Sequence, residues 1–321
     1  MKIFCDLSAD AETLSLLTRG VAPHELVWPA KPAPSVLSKS NQDPALAEAD
    51  IAFGQPDAAG VLRAGPLRWV HISSAGYTRY DTAEFRQAAA ERKLLVTNSS
   101  TVYAEPCAEH VLAFMLAQAR KLPEGLRAGA AGDSSSWAQL REDSILLQGQ
   151  TVLLLGFGSI ARCLVELLGP FRMRIAALRR KPPGEDGVQL VGTDNLAQAL
   201  AEADHVVNVL PANSSSTHFM SAPQFAAMKK GAVFYNVGRG ATVDQDALGD
   251  ALRSGHLAAA WLDVTEPEPL PANHPLLRSP NCYITPHTAG GHRREAAALV
   301  RHFLGNFQRF LHGTPLNDRI L

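Results

Sequence analysis

The stretch TVLLLGFGSIARCLVELL, Thr151 to Leu168, runs from a short apolar strand through Gly156-x-Gly158-x-x-Ala161 into a helical pattern. That order has a physical meaning. A glycine at 156 allows the tight turn off the strand, and one at 158 lets backbone approach a pyrophosphate. The small Ala161 lets the helix pack on the strand. Phosphates would then lie at the positive N-terminus of the helix. Glycines serving only a tight connection are the plainer alternative for so short a motif, so the context has to decide.

Outward from this stretch the context repeats. MRIAAL (173–178), HVVNVL (205–210), AVFYNV (232–237), AAWLDV (259–264) and CYIT (282–285) follow as further strands. Each is nearly continuously apolar, as strands covered by helices on both faces should be. Upstream, KIFCDLS (2–8), DIAFG (50–54), RWVHISSAG (68–76) and LLVTNSS (94–100) form an earlier series. Strands separated by helix-length segments predict parallel βαβ units, hence an α/β fold with two doubly wound sheets.

A long helix is expected from Glu105-Pro106, and its Val111, Leu112, Phe114, Met115 and Leu116 cover more than one face. Such a helix is buried in a core or beneath a partner subunit. GAAGDSSSW (129–137) reads as a surface loop. The last helix, near Arg301 to His312, carries Phe303, Leu304, Phe307, Phe310 and Leu311 at helical spacing and stops at Gly313 and Pro315. Too late to extend the second sheet, it is expected to return to the first domain.

Composition removes several function classes. The 321 residues suit two domains, and 46% are apolar. Thirty Lys and Arg against 31 Asp and Glu leave a net charge of −1, which gives no electrostatic reason to expect nucleic acid or an anionic membrane. No apolar run approaches the ~18 residues of a membrane span. The opening MKIFCDLSADAE does not read as a signal peptide. Cys5, Cys107, Cys163 and Cys282 lie far apart, so reduced thiols in the cytoplasm are expected, and no metal.

The second cofactor strand should end in an acidic residue that grips the ribose diol of NAD. Here that place holds Arg179, Arg180 and Lys181, with no carboxylate before Glu185. Cations there suit a 2′-phosphate and favour NADP (as NADPH) over NAD, a solvated basic turn being the alternative. Three more segments fall at strand ends: NVGRG (236–240), LDVTEPEPLP (262–271) and ITPHTAGG (284–291). They bring an arginine, a carboxylate and a histidine to one sheet edge. Reducing a 2-oxo acid needs a carboxylate anchor, a group that polarises the ketone, and a proton donor. Arg239 suits the first two. His287 suits the third, because imidazole titrates near neutral pH. Glu268 would hold that imidazole and favour its charged form. Singly, each has an ordinary structural explanation; in order behind a dinucleotide motif they point to catalysis.

AEPCAEHVLAFML, LLQGQTVLLLGFGSIA, NVGRGATVDQDAL, AAWLDVTEPEPLP and SPNCYITPHTAGG, spread over about residues 100 to 291, resemble the D-isomer-specific 2-hydroxyacid dehydrogenase family. The pattern is most similar to its NADP-preferring glyoxylate and hydroxypyruvate reductases. The first hundred residues match only in strand rhythm and in SSAGY. The resemblance implies that Arg239 binds substrate, Glu268 pairs with the acid/base His287, and Asp263 lies near the nicotinamide carboxamide. It implies that Ser74, Ala75 and Gly76 meet the substrate carboxylate through backbone N–H groups. The cofactor would touch Gly156, Phe157, Gly158, Ser159 and Ile160, then Leu210, Pro211, Val237 and Gly238. Glutamate at 268, where formate dehydrogenases carry glutamine, argues against formate.

The resemblance further implies an inserted cofactor domain of Rossmann type, residues 99–289, within a flavodoxin-like substrate domain of residues 1–98 and 290–321. It implies a homodimer joined through the helix at 105–122. The activity expected is hydride transfer from NADPH to the C2 carbonyl of a small 2-oxo acid, glyoxylate or hydroxypyruvate leading. A bulkier or phosphorylated D-2-hydroxy acid is the second expectation, and a non-catalytic dinucleotide sensor the third.

Overall fold

The computed structural model describes residues 1–31, 42–129, 134–179, 188–279 and 281–321. The chain divides into two compact units, Met1–Tyr103 with Gly291–Leu321, and Ala104–Gly290. Each is built on its own parallel sheet, so the α/β, two-sheet fold is as expected.

The first unit contains β1 (Lys2–Cys5), β2 (Glu25–Val27), β3 (Ile51–Gly54), β4 (Trp69–Ile72) and β5 (Leu95–Thr97). Their order is β2-β1-β3-β4-β5, the flavodoxin-like arrangement, with its switch point between β1 and β3. The helix Glu295–Leu311 belongs to this unit. Its Phe303 stacks on Phe53 of β3 at 4.3 Å and on Trp69 of β4 at 5.3 Å, and all three rings are fully buried. Burying one such side chain contributes ~1.5–3 kcal/mol, which is why the phenylalanine stripe of this helix turns inward.

The C-terminal residues then run antiparallel along β5, with Ile320 N donating to Val96 O (2.9 Å) and Asn98 N to Asp318 O (3.0 Å). The Asp318 carboxylate accepts from Thr101 N (3.0 Å) and Thr101 Oγ1 (2.6 Å) and lies 3.2 Å from His302 Nε2. Burial alone would raise its pKa, but His302 and Thr101 outweigh burial and hold the carboxyl at about 2.

The second unit contains β6 (Thr151–Leu155), β7 (Arg174–Leu178), β8 (Gln189–Val191), β9 (His205–Asn208), β10 (Val233–Asn236), β11 (Ala259–Leu262) and β12 (Cys282–Ile284). The order β12-β11-β10-β9-β6-β7-β8 is the dinucleotide-binding topology with one strand added at the far edge. Helix Ser159–Leu168 follows β6, and helix Ala104–Ala119 packs on it, burying Cys107, Ala108, Val111, Phe114 and Met115. Most of the apolar surface of the 104–119 helix is therefore covered within its own unit.

Three local features differ from the sequence reading. The edge strands β2 and β8 are three residues each, too short to show a periodicity. Of the expected loop at 129–137, residues 130–133 lie outside the described residues, and Ser134–Asp143 is helical. A serine run favours a helix start as readily as a loop, and the residues after it are helix formers. Among the described residues no helix is long and apolar enough to cross a membrane.

Asp318 gives a test of the tail. Its folded pKa lies below the unfolded value of ~3.9, so its contribution is complete above that value and is lost as pH falls towards 2. Asp318→Asn is expected to lower stability by about 2 kcal/mol at neutral pH. In urea unfolding, the gap between variant and parent should narrow steadily on acidification below about pH 4.

Candidate active site

Because every strand of the second sheet is parallel, all strand C-termini share one edge. Gly156–Gly158 follow β6, Arg179 follows β7, Leu210–Pro211 lie past β9, and Val237–Gly240 leave β10. Asp263–Glu268 leave β11, and Thr285–Ala289 leave β12. The order reverses between β6 and β9, and ligands of open α/β sheets bind at such a point.

Two asparagines that the sequence reading passed over fix the middle of this edge. Asn208 and Asn236 end β9 and β10 in register and are both buried. Asn208 Nδ2 donates to Asn236 Oδ1 (3.0 Å) and Thr242 Oγ1 (2.7 Å), while Asn236 Oδ1 accepts from Gly238 N (3.1 Å) and Asn236 Nδ2 donates to Arg239 O (3.2 Å). Buried amides this fully partnered set one loop path and no other. Glycine completes it. A Cβ at 238 would stand 2.7 Å from Leu210 O, and one at 240 would stand 2.0 Å from Thr265 O. The NVGRG loop is thereby pressed against the turn that carries Glu268.

Arg239 emerges half-buried from that loop. Burial lowers its guanidinium from the usual range, against the pull of Cys107 and Glu268, yet arginine keeps its charge. Glu268 accepts from Thr265 N at Oε1 (2.9 Å) and meets His287 Nδ1 at Oε2 (2.8 Å). Burial would raise the Glu268 pKa; the bonds from His287 and Thr265, with Arg239 nearby, hold it below the ordinary carboxylate range. The three expected catalytic residues are thus brought together. Glu266 instead holds Gln245 through its backbone N–H (3.0 Å).

His287 follows Pro286 and has φ +53°, a left-handed conformation uncommon outside glycine. Its loop is anchored by Asp263, which is 2% exposed. Asp263 Oδ1 accepts from Thr285 Oγ1 (2.6 Å) and Thr288 N (2.8 Å), and Oδ2 from Ala289 N (2.9 Å). His287 N donates to Asp263 O (2.9 Å). Asp263 therefore positions the histidine loop, a task its sequence context did not announce.

The residues after β6 suit a dinucleotide. Gly156 has φ +103°, and a Cβ at Gly158 would meet no atom within 4 Å. Helix 159–168 has no side-chain cap, so its first N–H groups are left for a ligand such as a diphosphate. Phe157, Ser159 and Ile160 line this turn, half-buried, and Val237 is buried within the NVGRG loop. Arg179 directly follows β7, with its N–H bonded to Val191 O (3.1 Å). Arg180 and Lys181 lie outside the described residues.

In the first unit, Ser74–Gly76 follow β4 next to the switch point. Their carbonyls are tied: Ser74 O accepts from Ser99 N (3.2 Å), Ala75 O from Asn98 Nδ2 (2.8 Å) and Gly76 O from Ser74 Oγ (2.6 Å). Gln55 Nε2 donates to Ser74 Oγ (2.8 Å), and Asp6 Oδ1 accepts from Gln55 N (2.8 Å). The Ser74, Ala75 and Gly76 amides bond to no group among the described residues. Such a loop can offer successive N–H groups to an anion.

Comparison with known proteins bears on the fold and the family. Residues 112–289 match the family model described as D-isomer specific 2-hydroxyacid dehydrogenase, NAD binding domain. The human glyoxylate reductase/hydroxypyruvate reductase is 32% identical over 82% of this chain and 79% of its own length. The glyoxylate reductase of Aeropyrum pernix is 31% identical over 97% and 93%. A crystal structure of a D-isomer specific 2-hydroxyacid dehydrogenase family protein from Aeromonas salmonicida superposes with a TM-score of 0.78 at 28% identity, covering 100% of this chain and 98% of that one.

The contact at Gly240 supplies a check on the site. Gly240→Ala is expected to cost about 1–3 kcal/mol through overpacking against the 265–266 peptide. It should also separate Arg239 from Glu268. Thermal unfolding would read the first effect, and a crystal structure of the variant the second.

Proposed function

The chain belongs to the D-isomer-specific 2-hydroxyacid dehydrogenase family, and from that premise we propose an NADPH-dependent reductase of small 2-oxo acids, glyoxylate or hydroxypyruvate first among them. The observation that carries the reading is the 2.8 Å bond between His287 and Glu268, beside Arg239 on a dinucleotide-binding sheet edge. A bound nicotinamide would supply the hydride for the C2 carbonyl.

The chain's own groups do the rest. Arg239 and the Ser74, Ala75 and Gly76 amides hold the substrate carboxylate. Arg239 and His287 polarise the ketone. With Nδ1 engaged by Glu268, His287 passes its proton from Nε2 to the forming alkoxide, and the product is the D-hydroxy acid or glycolate. The depressed pKa of Glu268 keeps it ionised while the imidazole gives up its proton. Gly156–Ile160, Leu210, Pro211, Val237, Gly238 and Asp263 make up the cofactor's surroundings. Arg179, with Arg180 and Lys181, favours a 2′-phosphate, and hence NADPH over NADH.

The same reading includes a homodimer in a reducing, cytoplasmic setting. All four cysteines are free. Five of the eight exposed large apolar side chains among the described residues fall between 122 and 146: Leu122, Leu126, Trp137, Ile145 and Leu146. A partner subunit would cover such a patch.

Initial rates against a panel of 2-oxo acids, phosphorylated and bulky members included, each with NADPH and NADH, test the whole reading. Glyoxylate or hydroxypyruvate with NADPH should be fastest; no turnover with any member would favour a dinucleotide sensor. His287→Ala should lower kcat by ~10² or more with cofactor binding retained. Glu268→Gln removes the negative partner of the imidazolium, so the alkaline fall in kcat/KM should move to lower pH. Arg179→Ala should raise KM for NADPH about tenfold and leave KM for NADH nearly unchanged.

A further inference from the structure

His110 has no part in the chemistry described so far, yet it reaches the loop that carries His287. It lies on the helix Ala104–Ala119 with its side chain 23% exposed. Its Nε2 is 3.2 Å from Thr285 Oγ1 and 3.9 Å from Asp263 Oδ1. The ring sits edge-on to Phe114 at 4.3 Å, and Phe114 packs on Trp261 of β11 at 5.0 Å. One turn further along, Gln118 Oε1 accepts from Trp261 Nε1 (2.9 Å). The helix is thus fastened to β11 next to the histidine that reaches past it.

Proton counting fixes the direction of each bond. Thr285 has one hydroxyl hydrogen, and it points at an ionised carboxylate 2.6 Å away that can only accept. Towards His110 the hydroxyl must therefore be the acceptor, so Nε2 carries a proton and donates. His110 Nδ1 has no hydrogen-bond partner among the described residues, so no competing bond turns the ring away. The result is a directed chain: His110 Nε2–H to Thr285 Oγ1, Thr285 O–H to Asp263 Oδ1, and Asp263 to the N–H groups of Thr288 and Ala289.

We propose that His110 is a positioning residue for the catalytic His287, acting as a hydrogen-bond donor that sets the Thr285 hydroxyl and thereby seats the 285–289 loop on Asp263. The proposal rests on the reductase reading only in naming His287 catalytic; the seating of the loop stands by itself. It explains why a polar, ring-shaped side chain stands on this helix beside Phe114, facing the loop after β12. A donor at this point is required, whereas a charge is not.

The test uses the full chain and two kinds of measurement. Hydrogen exchange followed by mass spectrometry is compared for peptides covering 285–291 and, as a folding control, 151–155, in the parent, His110→Ala and His110→Gln. Gln places an amide N–H close to where Nε2 stood but cannot titrate. Exchange in 285–291 should be about tenfold faster in His110→Ala, should return to near the parent rate in His110→Gln, and should not change in 151–155. In turnover assays, kcat should fall about tenfold in His110→Ala and recover in His110→Gln, with the KM for cofactor nearly constant. Unchanged exchange in a folded His110→Ala, or failure of His110→Gln to restore it, overturns the proposal. Should His110→Ala not fold, Thr285→Val interrupts the same chain and must speed exchange in 285–291 alone. If the exchange results hold while the parent reduces no 2-oxo acid, the reductase reading fails and the seating of the loop by His110 stands.

Discussion

The Asp263 carboxylate, buried and hydrogen-bonded at both oxygens, is the constraint on which the candidate site depends. A carboxylate removed from water is costly unless each lone pair is answered, and here the answer comes from the loop after β12. That loop contains Pro286, which has no N–H, and His287 in a left-handed conformation, and the bond from His287 N to Thr285 O (3.0 Å) does not by itself fix its path. The requirement to satisfy Asp263 does it instead. The path of the His287 loop is thus imposed by a carboxylate that accepts from two backbone N–H groups and a threonine hydroxyl.

The same logic recurs at the other strand ends. Asn208 and Asn236 form a closed amide network under the NVGRG loop, and two glycines let that loop press on its neighbours. In the first unit, Asp6, Gln55, Ser99 and Asn98 hold the serine-glycine loop by its side chains and carbonyls. What is left over in each case is positive: a guanidinium in one unit, a row of amide N–H groups in the other. In either unit taken by itself, donors fixed in advance need no reorganisation when an organic anion arrives.

Much of this was legible in the sequence, for definite reasons. Apolar strands long enough to show their character, such as Thr151–Leu155, were found where they lie, as was the Gly156–Ala161 turn. Arg239, Glu268 and His287 were legible because their chemistry is specific and each follows a strand. The strands β2 and β8 were not, since three residues at a sheet edge carry no pattern. Asn208, Asn236 and His110 escaped for a different reason. Their partners lie 28 to 175 residues away, and only the register of the folded sheet brings them together. One signal was available: an asparagine closing two successive apolar runs, HVVN and VFYN, marks a polar group that burial obliges to find a partner. The long apolar helix at 104–119 was legible as buried, but its cover is largely helix 159–168, and the exposed apolar surface lies in the segment after it.

The stacking of Phe303 on Phe53 and Trp69 bears on how the chain is made. The strands that carry Phe53 and Trp69 leave the ribosome long before the helix that covers them. Between them comes the whole of the second unit, which has every strand of its sheet in hand before the final helix appears. The nascent polypeptide therefore carries two aromatic rings without their Phe303 cover while the whole second unit is made, and the unit begun first is closed after the other.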